Sequence, residues 1–518
     1  MVFVVLSLLF GLFVVASFSV FNNNQYRGGK LDSFYVGVTY CGGSVEEAKE
    51  LVDSVKGCTN LFVLLSGPFM WDAKAMEEIG DYVVSSGLSY AVSCSVKDYV
   101  GLSNKVLGVW LLEAKERWGE QFIGIYYGDE AGGDMLDDKN LELEKRTVTQ
   151  ADGTVLTINA VSKWPNAIVV RSVDNPRGDK LFSSTTVYYF NGTIWISNIF
   201  NDPNHNDTSP SSSSENIHHN NHNESSDTYN ITFIKTAASY ESINYYPNGS
   251  VTITENMGVT ENFYTSENIT KYPWPILPYE ELLKKNPIQN FDDAAKVFEN
   301  MHKQNLEAIN KKQLSKKDIT VFTADYGLYW WNYKGGYDII LAELAWNNSA
   351  TQQIGLVRGA ANLQNKQWGT ILTWKYTHPP YLTDGEEMFE QMKISYETGA
   401  QCVIIFNFSE NLTDPNTLQE EHFVALERFW NEIVQNPEVK HGSIKAEAVL
   451  ILPKNYGWGM RNPKDGIWGI WHADNTTQEL WDQIHNKIDQ YGLKLDIIFE
   501  DPNYAPGNYK HIYYWNQK

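Results

Sequence analysis

Past an apolar N-terminal run, the hydrophobic positions form short blocks that alternate with stretches of helical period. Phe34-Tyr35-Val36-Gly37-Val38-Thr39-Tyr40 reads as a first buried strand. Ser44-x-x-Glu47 follows as a capping box, and Val45, Ala48, Leu51, Val52 and Val55 fall on one helical face. Leu61–Leu65 predicts a second strand and Trp71–Ser86 a helix. Tyr90–Ser95 predicts a third strand, Lys105–Trp118 a helix and Phe122–Tyr127 a fourth strand.

The period then changes. Asp152-Gly153, Asn191-Gly192 and Asn248-Gly249 are hairpin turns flanked by Val, Ile, Thr and Tyr runs, which predicts an antiparallel β-domain over residues 143–275. Within it, residues 201–227 are rich in Asn, Ser and His and read as a disordered loop. His205, His218, His219 and His222 have no carboxylate or Cys partners in register, so they read as solvated rather than metal-binding.

Strand and helix alternate again from a helix around residues 291–311. Ile319–Ala324, Ile339–Ala345, Trp368–Trp374 and Cys402–Phe408 are strands five to eight, with Asp384-x-x-Glu387 and Thr417-x-x-Glu420 as helix caps. Eight such units over 31–134 and 290–440, joined by right-handed crossovers, predict an α/β fold: a (β/α)8 TIM barrel with a β-rich insertion after strand four. Residues 445–518 add a small α/β module, with strands at Val449–Leu452, Leu493–Phe499 and Ile512–Trp515 and a helix capped by Thr476-x-x-Glu479. Neither Cys41-Gly42-Gly43-Ser44 nor Gly457-Trp458-Gly459 makes a phosphate or dinucleotide fingerprint, so no cofactor and no metal are expected.

Charge narrows the partners. A formal net charge of -22 on 518 residues argues against nucleic acid, which needs basic stripes, and against anionic lipid. Met1–Phe21 is apolar except for Ser7, Gly11, Ser17 and Ser19, and no basic residue precedes Arg27. It reads as a signal peptide or an N-terminal membrane anchor. Asn-x-Ser/Thr triplets start at Asn191, Asn206, Asn223, Asn230, Asn248, Asn268, Asn347, Asn407, Asn411 and Asn475, and their crowding over 191–268 supports export. The expected location is extracellular, secreted or anchored on the outer face of the membrane. Cys41, Cys58, Cys94 and Cys402 lack metal-ligand spacing and read as small buried hydrophobes.

Catalytic residues of such barrels lie at the C-terminal strand ends. Carboxyls there are Asp129 and Glu130 after strand four, Asp325 after strand five and Glu343 late in strand six; Trp374 and Lys375 end strand seven and Asn407 ends strand eight. Glycoside cleavage needs two carboxyls across the scissile bond, one with a raised pKa. Glu343, inside Ile339-Ile340-Leu341-Ala342-Glu343-Leu344-Ala345, is either such a group or the partner of a cation such as Lys375. Tyr126, Tyr127, Tyr326, Tyr329, Trp330, Trp331, Trp346, Trp374, Tyr376 and Tyr381 cluster at predicted strand ends, where they could stack on pyranose rings or fill the core.

Asp129-Glu130 followed by a small residue resembles the Asn-Glu-Pro that ends strand four in the large clan of retaining glycosidases. The resemblance implies Glu130 as acid/base and Asp129 as the partner of the sugar 2-hydroxyl. That clan takes its nucleophile Glu from strand seven, where this chain has Thr373-Trp374-Lys375-Tyr376, so Glu343 or Asp325 would have to replace it. Residues 124–133, 337–364, 368–381 and 452–471 look like those of uncharacterised archaeal secreted proteins with a glycosidase-like barrel, which implies fold and export but no particular reaction. The expected function is an extracellular glycoside hydrolase with carbohydrate as its partner. Tyr127, Trp330, Trp346, Trp374, Lys375, Tyr381 and Asn407 would line its substrate cleft beside Asp129. The alternative is a non-catalytic glycan-binding or cell-envelope protein on the same barrel.

Overall fold

The computed structural model describes residues 30–94, 104–136, 284–285, 287–346, 348–409 and 416–517, and between 140 and 264 the strands alone. The apolar N-terminal run lies outside the described residues. Among the described residues, no helix is long and apolar enough to cross a membrane. The chain divides into two compact units, residues 1–135 with 295–518, and residues 136–294.

In the first unit the opening strands and helices are β1 (Tyr35–Tyr40), α1 (Val45–Val55), β2 (Leu61–Leu64), α2 (Ala73–Ser85), β3 (Ser89–Cys94), α3 (Asn104–Trp118), β4 (Phe122–Tyr127) and the single turn α4 (Ala131–Asp134). Ser44 Oγ accepts from Glu47 N at 3.2 Å, as the capping pattern predicts, and α1 buries Ala48, Leu51, Val52 and Val55.

The second unit is antiparallel. Its strands are β5 (Asn140–Thr149), β6 (Val155–Lys163), β7 (Ala167–Asp174), β8 (Phe182–Tyr189), β9 (Ile194–Phe200), β10 (Ile217–His219), β11 (Tyr229–Phe233), β12 (Ile243–Tyr245), β13 (Val251–Thr252) and β14 (Val259–Tyr264). They form a six-stranded sheet ordered β14-β9-β8-β7-β6-β5 and a four-stranded sheet ordered β10-β11-β12-β13. Of the expected disordered loop, Ile217–His219 is a strand paired with β11; the remainder lies outside the described residues.

The first unit resumes in α5 (Phe291–Ala308) and α6 (Lys311–Ser315). It continues through β15 (Thr320–Asp325), α7 (Tyr329–Gly335), β16 (Ile339–Leu344), α8 (Ala350–Leu363), β17 (Gln367–Leu372), α9 (Gly385–Thr398), β18 (Cys402–Ile405) and α10 (Glu420–Phe429). The eight barrel strands close in the order β1-β18-β17-β16-β15-β4-β3-β2, every pair parallel. This is the (β/α)8 barrel that the alternation predicts. β15 pairs directly with β4 (Phe322 opposite Tyr126), so the inserted residues leave the ring unbroken.

Alternate strand positions fill the lumen: Leu61, Val63, Ala91, Phe322, Ala324, Ile339, Leu341, Ile371, Cys402 and Ile404 form one buried cluster. Each large aliphatic or aromatic among them contributes roughly 1.5–3 kcal/mol by leaving water. Cys41, Cys58 and Cys402 are free thiols, and Cys58 and Cys402 pack as buried hydrophobes.

The C-terminal segment adds β19 (Ala448–Leu452), α11 (Asn475–Tyr491), β20 (Leu495–Phe499) and β21 (His511–Tyr514), in a parallel sheet ordered β20-β19-β21. It is tied to the barrel through α8. Arg358 Nε donates to Asp496 Oδ1 at 2.7 Å, and its Nη2 donates to the Leu493 and Leu495 carbonyls. Two expected caps are displaced. Asp474, not Thr476, caps α11 by accepting from the Thr476 and Thr477 amides, because it directly precedes the first helical residue while Thr476 lies inside the first turn. Thr417 is drawn away by Asn407, and Gln419 with His422 closes the start of α10.

Candidate active site

The site begins with strand parity. Ile339 and Leu341 of β16 face the lumen, so Glu343, two residues on, faces it too, at the C-terminal mouth. It is 2 % exposed. Lys375 is not its partner: that ammonium pairs with Glu387, beside Thr383.

β4 delivers the second carboxyl by a sharp turn. Tyr126 faces the lumen, and its hydroxyl donates to Asp129 Oδ1. Gly128 and Glu130 both take left-handed backbone (φ 72° and 45°), and Glu130 N donates to the Ala324 carbonyl at 3.1 Å. Left-handed backbone in a non-glycine residue costs about 1–2 kcal/mol, so the surrounding structure holds Glu130 there. Past Ala131, residues 132 and 133 are glycine for want of space. A Cβ on Gly132 would stand 2.2 Å from the Gly327 carbonyl oxygen, and one on Gly133 would stand 2.0 Å from the Tyr326 ring.

The Glu130 and Glu343 carboxyls are thus brought close enough across the mouth for each to shift the other's titration. Burial, then the charges of Glu130, Asp129 and Asp325, push the pKa of Glu343 well above the ordinary carboxyl range. Burial, then the charge of Asp129, also raises Glu130. Glu343 is the more deeply buried of the two, so loss of hydration disfavours its ionised form more, and a proton held by the pair is favoured there. The resemblance to retaining glycosidases implies the reverse allocation, with the proton on Glu130.

Asp325 is brought beside the pair but not into the lumen. It shares the parity of Val321 and Thr323, opposite to lumen-facing Phe322 and Ala324, and is fully buried on the helix side of β15. Its Oδ2 accepts from Gly132 N at 2.5 Å and Asn332 Nδ2 at 2.6 Å. Its Oδ1 accepts from Tyr326 N (2.8 Å), Gly133 N (2.9 Å) and Gly327 N (3.2 Å). Burial pushes its pKa up to about 7 while the N–H donors pull it down. With both oxygens engaged by donors and turned from the mouth, Asp325 is not placed to attack a substrate.

The aromatics separate into two sets. Trp330 and Trp331 are buried under the C-terminal segment, Trp330 against Tyr504 and Trp331 against Trp468 and Phe499. Tyr127 is buried on the helix side, its hydroxyl donating to the Asn305 carbonyl. Tyr329 is likewise buried and donates to Gln353 Oε1. These four fill the core. Trp346 and Tyr376 are 45 % and 46 % exposed. Trp346 N donates to the Trp374 carbonyl, and the Trp374 ring is layered with Phe408 (5.8 Å between centroids) and Tyr381 (4.9 Å). Asn407 is buried and spent on the chain that follows it: its Oδ1 accepts from Thr417 N, Thr417 Oγ1 and Leu418 N, and its Nδ2 donates to Asn416. It offers nothing to a sugar, and its side-chain amide is closed to glycosylation in the folded chain.

Some participants were not singled out by sequence reasoning. Thr373 continues the inward parity of Ile371 at the end of β17, and its buried hydroxyl has no hydrogen-bond partner. Arg461, from the C-terminal segment, lies over the Tyr326 ring at 5.5 Å while forking onto Asp465. Tyr326 in turn feels Glu130; burial first, then that charge, raises its pKa to about 12. Cys41 stands near Asp129, and burial holds its thiol protonated, with a pKa pushed up to about 12. No local pattern links Arg461 to strand five 135 residues earlier, so nothing in the sequence marks that contact.

Comparison with protein-family models and with curated proteins finds no match to this chain. What stands is the class that the fold defines, a (β/α)8 barrel with a pair of adjacent carboxyls at its C-terminal mouth.

Proposed function

We propose that this protein is an extracellular glycoside hydrolase in which Glu343 is the general acid and Glu130 the nucleophile or base. One observation carries the reading: two carboxyls, one at the end of β16 and one just after β4, come together at the C-terminal mouth of the barrel, and both are harder to ionise than usual, Glu343 being the more buried. A buried, protonated Glu343 can give its proton to a glycosidic oxygen. An ionised Glu130, on strained backbone, can attack the anomeric carbon or activate water. Asp129, fixed by Tyr126, is beside Glu130 for a sugar hydroxyl. Trp346 and Tyr376 offer exposed faces to pyranose C–H patches. Export, through the apolar N-terminal run and the sequons, belongs to the same proposal.

A retaining mechanism needs the carboxyls about 5 Å apart, so the pair must part when a sugar enters. That contact also favours a second reading, a glycan-binding protein in which the pair never opens. The test is a panel of polysaccharides and glycans offered to the full chain, scored for products and for binding, with the Glu130→Gln/Glu343→Gln double variant as control. Products from wild type and none from the folded double variant support the hydrolase. Saturable binding without products, equal in both proteins, supports the binding protein.

A further inference from the structure

Asp325 is buried, accepts from five N–H donors and has no part in the chemistry proposed above, which leaves its geometry around the turn unexplained by that chemistry alone. Two of those donors, Gly132 N and Gly133 N, are the second and third amides after Glu130. Two more, Tyr326 N and Gly327 N, belong to the loop that Gly132 and Gly133 touch, and Asn332 of α7 completes the set. One carboxylate thus fastens the turn after β4 to the turn after β15.

We infer that Asp325 is a positioning residue: by gripping the Gly132 and Gly133 amides it holds Glu130 in its left-handed conformation and presses its carboxyl against Glu343. This rests on the reading of Glu130 and Glu343 as the working pair. Without the grip, the Glu130 N bond to the Ala324 carbonyl and the α4 bond to the Glu130 carbonyl are left to offset the cost of the left-handed backbone, and the turn relaxes, drawing the carboxyl away from Glu343. The glycines serve the same end, since only residues without a Cβ let the turn come close enough to be held.

The groups whose charge or hydroxyl bears on Glu343 are Glu130 and Asp129 from the β4 turn, Asp325 from β15, and Tyr126, Tyr326 and Tyr329; Arg461 bears on Tyr326 from the C-terminal segment. The carboxyl stretch of protonated Glu343, assigned by its loss in Glu343→Gln, therefore reads the contact by infrared titration without any substrate. Asp325→Asn removes a charge as well as part of the grip. Gly132→Ala keeps every charge and forces the turn away from Asp325. Positioning predicts that both variants lower the Glu343 titration midpoint by about one pH unit or more. A midpoint unchanged in folded Gly132→Ala overturns the inference, whether Asp325→Asn shifts it by charge alone or leaves it too. If Asp325→Asn does not fold, Gly132→Ala decides. Because the titration needs no turnover, failure of the hydrolase reading leaves this result legible.

Discussion

Glu343 and Glu130 bring their carboxyls together across the end of β15, a strand to which neither residue belongs. The contact depends on the lumen-facing parity of β16 and on the left-handed turn that carries Glu130 back from β4. Both carboxyls are more easily protonated than usual, and such a pair opposes folding once it ionises.

The pH dependence of stability follows from that sign. A carboxyl with a folded pKa above its unfolded value, near 4, stabilises fully below that value and loses its contribution as pH rises through the folded one. Asp325 reaches about 7, and Glu343 is raised further above its ordinary range by burial. The thermal midpoint is therefore expected to fall between pH 5 and pH 8. Asp53 and Asp81, lowered by Lys56 and Arg117, act in the opposite sense only below the ordinary carboxylate range. Thermal melts across that range check the slope.

Glu343→Gln is expected to flatten this slope and to stabilise the protein at pH 8 by about 1–2 kcal/mol, the usual exchange of stability against a functional charge. Denaturant unfolding at pH 5 and pH 8 measures it. A variant less stable than wild type at pH 8 would refute the buried-charge account.

Arg358 and Asp496 form a buried pair between α8 and β20, and Tyr509 also donates to Asp496. Arg358→Leu leaves Asp496 without its cation and is expected to cost about 3–5 kcal/mol. Arg358→Leu combined with Asp496→Leu should recover part of the loss. A double-mutant cycle in chemical denaturation checks both.

Trp346 holds its indole in solvent on left-handed backbone (φ 51°). Trp346→Gly is expected to weaken glycan binding by about 1–1.5 kcal/mol, roughly five- to tenfold in Kd. It should cost no stability, because glycine accepts that backbone. Titration calorimetry and a thermal melt separate the two effects.

The barrel was legible because each strand is a short apolar block and each helix shows its period. The strand ends agreed to within three residues, and the Ser44 and Asp384 caps stand where their patterns put them. The lumen side of Glu343 follows from counting by two along Ile339-Ile340-Leu341-Ala342-Glu343. Asp325 has the same apolar setting but the other parity, and a strand-end carboxylate looks alike in sequence whether it faces the mouth or the helix layer. Trp330 and Trp331 looked like a sugar platform because the segment that covers them begins more than a hundred residues later. Asn407 looked like a strand-end ligand because its hydrogen-bond partners lie in a loop with no periodicity of its own.

The most direct test of the proposed chemistry compares natural glycan with an activated aryl glycoside, whose leaving group needs no acid. The account predicts that Glu343→Gln loses about 10²–10⁴-fold on glycan but stays within about tenfold of wild type on the activated substrate. Glu130→Gln should lose comparable activity on both. The opposite pattern, with the activated substrate spared by Glu130→Gln, would return the acid to Glu130, and full activity in both variants would contradict the two-carboxylate account.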